Sequence, residues 1–325
     1  MVGVHRSPGG VDPLSPYHSS GCASAVGGLG VRRPYVAIPD GGVPEMDQVE
    51  RPWPLPISPG YQCGQFGRWR LRRAPDRTCF GYFTSWQVSR QNFVLKHEDV
   101  IWMSVSPMER ESQAHHIASA RGHVVIGGLG MGVLLYNVIS KPEVTRVTVI
   151  ERDRRLIRLF KDFICEDHEQ WAGWDKVTII PYDILRPEAA IGDVDTLLVD
   201  IWPTLADDRA MPQMRQLIRR YQPEVVGWWG QEFDFIGWLA KEKFGPPIEP
   251  GMLSSFQDHL GCELAGADRD DYHELAVYPI GNWECLVQHF PPPRGPVAVR
   301  EITREEFDEL VRPTSVVRAG LSATG

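Results

Sequence analysis

The chain has 325 residues, 42% of them hydrophobic and 23% charged, which excludes a wholly disordered or collagen-like chain and allows a sizeable core. A formal net charge of -8 has the wrong sign for a sequence-blind nucleic-acid binder. The six cysteines form no C-x-x-C pair, Met1 to Gly10 carries no apolar signal region, and glycines break the longest apolar run, Val124 to Ile139. A cytoplasmic protein follows, without a disulfide framework, a zinc ribbon or a membrane span.

About a third of residues 1–60 are Gly or Pro, so this stretch reads as a tail or an irregular wrap, with Trp53 and Leu55 able to pin it to the body. Residues 61–121 form a small antiparallel β region with a linking helix. Its strands are expected around Gly67–Arg73, Cys79–Trp86, Asn92–Leu95 and Val100–Val105, and its helix over Met108–Ala120. From residue 123 strands and helices alternate. Strands are predicted at Val124–Ile126, Val147–Ile150, Val177–Ile180, Asp195–Val199 and Val225–Trp229. Helices are predicted at Met131–Ser140, Arg154–Ile164 and Asp208–Tyr221. Short β-branched runs between helices mean an α/β fold with a Rossmann-like, doubly wound, mostly parallel sheet, assigned to residues 122–312. Tyr278 to His289 reads as strand-like pieces. Thr303 to Glu306 is a capping box opening a short helix, and 313–325 is a tail.

Gly128-Leu129-Gly130-Met131-Gly132 follows a strand and precedes a helix. Glycines there let the backbone turn tightly and approach a ligand, and the helix start offers free N–H groups. The alternative is a tight turn alone. Position six of the dinucleotide fingerprint is Val133 instead of Gly or Ala, which disfavours NAD. Glu151 ends the second strand, where a carboxylate can accept both hydroxyls of a ribose, and Arg152 follows it. Asp183 follows the third strand and can accept from an adenine amino group, with Tyr182 or Ile184 covering the ring. Asp200 ends the fourth strand, and Trp202 beside it offers a face to a cation. A Walker loop and a G-x-S-x-G elbow are absent. His115 and His116 are adjacent on a helix and so diverge, with no third ligand at useful spacing, and no metal is expected. Gln231 and Glu232 follow the fifth strand and could reach a substrate.

The runs Gly122–Gly132 and Val147–Asp153 and the Asp200 strand end resemble the class I S-adenosylmethionine-dependent methyltransferase fold. The segment Trp102–Gln113 resembles that of its spermidine-synthase-like, aminopropyltransferase-like branch. The resemblance implies S-adenosylmethionine or its decarboxylated form in the glycine loop, ribose on Glu151 and adenine near Asp183. It departs at the reaction centre, where Asp200-Ile-Trp-Pro203 lacks the second aspartate of the D-x-x-D-P motif. Methyl transfer to a small-molecule acceptor, such as an amine, is the expected activity. Asp200 is the first residue assigned to the acceptor side, facing the cleft and ionised beside a sulfonium. Glu109 and Gln113 stand behind it. Release of methylthioadenosine by aminopropyl or aminocarboxypropyl transfer, or by cyclisation, is the alternative outcome. A non-catalytic nucleoside-binding domain and an NAD-dependent oxidoreductase are the rival classes. Neither nucleic acid nor membrane is an expected partner, and a homodimer is compatible with the sequence.

Overall fold

The computed structural model describes residues 43–286, apart from 91, 187–190, 243, 245–246 and 284–285. The capping box at Thr303 and both predicted tails beyond these limits lie outside the described residues. From residue 43 to about 62 the chain lies as an irregular strap along the body. Trp53 is buried against Phe83 and His115, and Arg269 sits over its ring while donating to Pro52 O at 2.8 Å. Leu55 is only half-buried.

Six short strands follow: β1 (Gly64–Phe66), β2 (Trp69–Arg73), β3 (Arg77–Phe80), β4 (Trp86–Ser89), β5 (Phe93–His97) and β6 (Val100–Ser104). The order β1-β2-β5-β6 makes one antiparallel sheet, and β3 pairs with β4 as a separate hairpin. Period-two alternation decides the faces of the first sheet. Trp69, Leu71, Leu95 and Met103 point into the core, while Arg70, Arg72 and Lys96 do not. The Cys79–Trp86 run, expected to be one strand, turns at Gly81 to Ser85. A Cβ on Gly81 would fall 2.5 Å from Glu111 Oε2, so the backbone there bends around a buried carboxylate.

Helix α1 (Pro107–Ser119) is capped by Ser106, and Pro107 takes its first position, where no N–H is needed. Then come β7 (Gly122–Gly127), α2 (Val133–Ile139), β8 (Val144–Ile150), α3 (Arg154–Leu159), β9 (Val177–Ile180), β10 (Thr196–Val199), α4 (Ala210–Tyr221) and β11 (Val225–Trp228). Every strand predicted in this region is present. The helix expected to run to Ile164 leaves α geometry after Leu159 and continues as a π turn, which seats Phe160 against Gly132. The chain continues through α5 (Gln231–Lys241), α6 (Pro250–Leu260), β12 (Glu263–Leu264), α7 (Tyr272–Leu275) and α8 (Val277–Gly281). Residues 277–281 are therefore helical, contrary to the strand reading. Tyr278 stacks on Phe80, so packing overrides the β-forming composition.

The large sheet has the order β12-β11-β10-β7-β8-β9, with every neighbouring pair parallel. Its order reverses at β7, so a crevice opens beyond the carboxyl ends of β7 and β10. That is where doubly wound sheets bind ligands. No described helix is long and apolar enough to cross a membrane.

Candidate active site

At that switch point lies a cleft of about 450 Å³. Its floor is the glycine loop. Gly128 has φ +93° and Gly130 φ +51°, both left-handed, and both line the cleft. A Cβ on Gly128 would meet Asp200 O at 2.2 Å, so glycine lets the ends of β7 and β10 close on each other. Gly132 also has a positive φ, but its open side meets Phe160. Leu129, Met131 and Gly132, assigned to cofactor binding from sequence, do not line the cleft. Leu129 and Met131 are buried in the core, and Met131 O accepts from Tyr61 Oη at 2.9 Å.

Glu151 stands one strand over, buried and facing the same cleft. Leu129 N donates to its Oε2 at 3.1 Å, and Asp153 N donates to its Oε1 at 2.7 Å. The carboxylate thus ties the glycine loop to the turn after β8. Each oxygen keeps a further lone pair, enough for two hydroxyl donors. Burial raises its pKa, against the pull of those two N–H groups. Arg152, Tyr182, Asp183 and Trp202 line the same cleft. Asp183 Oδ1 accepts from Leu185 N at 3.0 Å, leaving Oδ2 open. Trp202 donates through Nε1 to Gln213 Oε1 at 2.8 Å.

The three residues assigned to the acceptor side line the same cleft. Asp200 lines the cleft, half-buried, and Gln113 Nε2 donates to its Oδ2 at 3.3 Å. Gln113 is 2% exposed, and its Oε1 has no hydrogen-bond partner. Glu109 is 4% exposed and accepts from Ser104 N. Burial lifts the Asp200 carboxyl to about 7, against the Gln113 bond. Burial also lifts Glu109 to about 8, aided by Asp200 nearby and opposed by the Ser104 N–H. Asp200 therefore faces the cleft as expected, but its surroundings favour the protonated form, and a cation beside it would favour the charged one.

Sequence reasoning missed the aromatic wall. Trp69 and Trp102 meet edge to face at 86°, with His97 packed on Trp69, and all three line the cleft. Trp69 Nε1 donates to Asp153 Oδ2 at 2.8 Å, keying the antiparallel sheet to the turn that holds Glu151. The signal was the alternation in Trp69-Arg-Leu-Arg, which puts Trp69 on the inner face. It also missed Gln213 and Trp229 as lining residues.

Two other expectations are corrected. His115 and His116 do not diverge with one outside: both are buried, their rings 4.0 Å apart, because most of α1 is covered. Among the described residues, no group of three His, Cys, Asp or Glu could hold a metal. Gln231 and Glu232 do not reach the cleft. Glu232 Oε2 accepts from Tyr82 Oη at 2.7 Å and Oε1 from Tyr272 Oη at 2.8 Å, with His115 Nε2 at 3.1 Å. Gln231 Oε1 is 3.0 Å from His116 Nε2.

The sequence matches no family model and no curated protein. Among solved structures, it is similar to the methyltransferase domain of bacterial CtHen1 at 14% identity and TM-score 0.27, over 32% of this chain and 54% of that one. It is also similar to a putative RNA methyltransferase from Pyrococcus horikoshii at 19% identity and TM-score 0.26, over 35% and 51%. The CcbJ methyltransferase from Streptomyces caelestis shows 14% identity and TM-score 0.27, over 34% and 48%. The matched region thus spans about half the length of these structures, and at these identities the likeness concerns the fold alone.

Proposed function

We propose that the chain is an S-adenosylmethionine-dependent transferase that methylates a small molecule, an amine by the chemistry of the acceptor side. What carries this reading is one juxtaposition in a single cleft: the glycine loop and Glu151 beside Asp200, Gln113 and Glu109. The residues suit such a cofactor. Glu151 has lone pairs left for ribose hydroxyls, Asp183 has Oδ2 for an adenine amino group, and Gly128 and Gly130 clear the floor.

When bound, the cofactor supplies an electrophilic sulfonium carbon. The chain supplies alignment and proton handling. Gln113 holds Asp200 Oδ2, so Oδ1 is left to orient an acceptor N–H. The orphaned Gln113 Oε1 is a second acceptor for such a group. Asp200 takes the proton that a nucleophilic amine sheds, and Glu109 provides a further carboxyl in the same pocket. The Trp faces wall the cleft from water and attract positive charge. Rate enhancement comes chiefly from holding nucleophile and carbon in line, since a thioether leaves without an acid.

One observation favours a second reading. The acid missing from the run after Asp200 has a counterpart in Glu109, a second buried carboxyl contributed by α1 to the same cleft. Two acids suit an aminopropyltransferase-like reaction, with methylthioadenosine released. Product analysis with S-adenosylmethionine and a panel of amines separates the readings. S-adenosylhomocysteine supports methyl transfer, and methylthioadenosine supports the second reading. Saturable binding without turnover leaves a nucleoside-binding protein.

A further inference from the structure

Trp202 and Gln213 form a pair that the chemistry above does not use. An indole N–H only donates, so the 2.8 Å contact fixes which end of the amide faces it: Gln213 Oε1. The amide nitrogen is thereby turned elsewhere. Gln213 lines the cleft, and no described residue partners that nitrogen.

Helix α4 sets where this free donor stands. Gln213, Gln216 and Arg220 recur at i, i+3 and i+7, along one stripe. Gln216 Nε2 donates to Leu185 O at 3.4 Å. Arg220 donates to the carbonyl oxygens of Ile184, Arg186 and Leu185 at 2.7, 2.8 and 3.1 Å. The stripe therefore runs along residues 184–186, next in the chain to Asp183, and Gln213 and Asp183 both line the cleft. Asp183 Oδ2 is open in that cleft, an acceptor to complement the Gln213 donor.

We propose that Gln213 reads the base: its amide nitrogen donates to an in-plane ring nitrogen of an adenine whose amino group Asp183 accepts. The proposal rests on the nucleoside-cofactor reading above. A donor and an acceptor in one cleft match an aminopurine, in which an amino group stands beside ring-nitrogen acceptors. A 6-oxopurine presents an acceptor where Asp183 needs a donor, and so leaves a polar group unpaired.

Gln213→Glu is the discriminating variant, because it keeps an oxygen on the indole and replaces the donor by a second acceptor at nearly equal size. Calorimetry on the full chain, at mildly alkaline pH, would use S-adenosylhomocysteine and its 1-, 3- and 7-deaza analogues. Wild type should bind one deaza analogue about tenfold more weakly than the parent. Gln213→Glu and Gln213→Leu should each bind the parent at least about tenfold more weakly, with that one analogue's penalty gone in Gln213→Leu. An unchanged parent affinity in folded Gln213→Glu overturns the proposal. So do deaza penalties that are the same in wild type and Gln213→Leu. A wild-type chain that binds none of the four ligands overturns the cofactor reading itself, and this proposal with it.

Discussion

Helix α1 lies between two groups of acids that the protein treats in opposite ways. On one side, Glu232 is surrounded by the phenols of Tyr82 and Tyr272 and by His115. Burial pushes its carboxyl up, but those partners outweigh it and hold it below the ordinary value. On the other side, Asp200 has one side-chain donor and Glu109 a backbone N–H, and burial carries both well above the ordinary range. An acid whose lone pairs are filled from within is part of the structure. An acid left short of donors at a cleft wall keeps its valences for something that arrives. The orphaned oxygen of Gln113 belongs to the second group.

The sharpest way to break this contrast is to neutralise one acid from each side. Asp200→Asn should lower turnover by roughly 10²–10⁴, the usual worth of a positioned acid–base group, with cofactor affinity changed only a few fold. Steady-state kinetics checks the first and calorimetry the second. Glu232→Ala should leave the cleft's chemistry intact in whatever remains folded, but cost about 3–5 kcal/mol of stability, because two phenols lose their shared acceptor and His115 its close ion-pair partner. Urea unfolding reads this, and an unchanged midpoint would make the Glu232 network idle.

How far these positions were legible in the sequence differs along the chain. Glu151, Asp183 and Asp200 could be placed at the cleft because each ends a β-branched run, and a parallel sheet must send all its strand ends to one edge. Gln113 and Glu109 were reached only through a resemblance, since nothing local says which face of a mostly buried helix meets a cleft. Glu232 was misplaced for the same reason. Its partners Tyr82 and Tyr272 lie 150 and 40 residues away, and no periodicity announces contacts at that distance. The short helices after residue 230 escaped because tertiary packing, more than propensity, holds them. The glycine loop was legible as a turn, but not in which glycine faces the cleft and which faces Phe160.

Glu151 sharpens the contrast as an intermediate case: it has two backbone donors and room for two more. Glu151→Ala should weaken S-adenosylmethionine at least about tenfold, since two bonds to a charged acceptor are lost. The loop N–H of Leu129 loses its anchor at the same time.

The smallest expected effect concerns pH. Asp200 and Glu109 hold protons more tightly in the fold than in an unfolded chain, where carboxyls titrate near about 4. Between that pH and about 8 they make the folded state bind more protons, so their share of stability falls as pH rises. Asp200→Asn removes its part of that loss. Its melting temperature should match wild type in acid and exceed it above neutrality, by about 2–4 °C per kcal/mol recovered. In activity the sign reverses. The kcat/KM of wild type should rise with pH through about 7, as Asp200 loses its proton in the free enzyme.

The central claim is that the cleft is a cofactor site whose acids wait for a ligand, and isothermal titration of the full chain with S-adenosylmethionine tests it most directly. The account predicts saturable binding at one site per chain, weakened at least about tenfold by Glu151→Ala and only a few fold by Asp200→Asn. An absence of saturable binding, or equal affinity in folded Glu151→Ala and wild type, would contradict it.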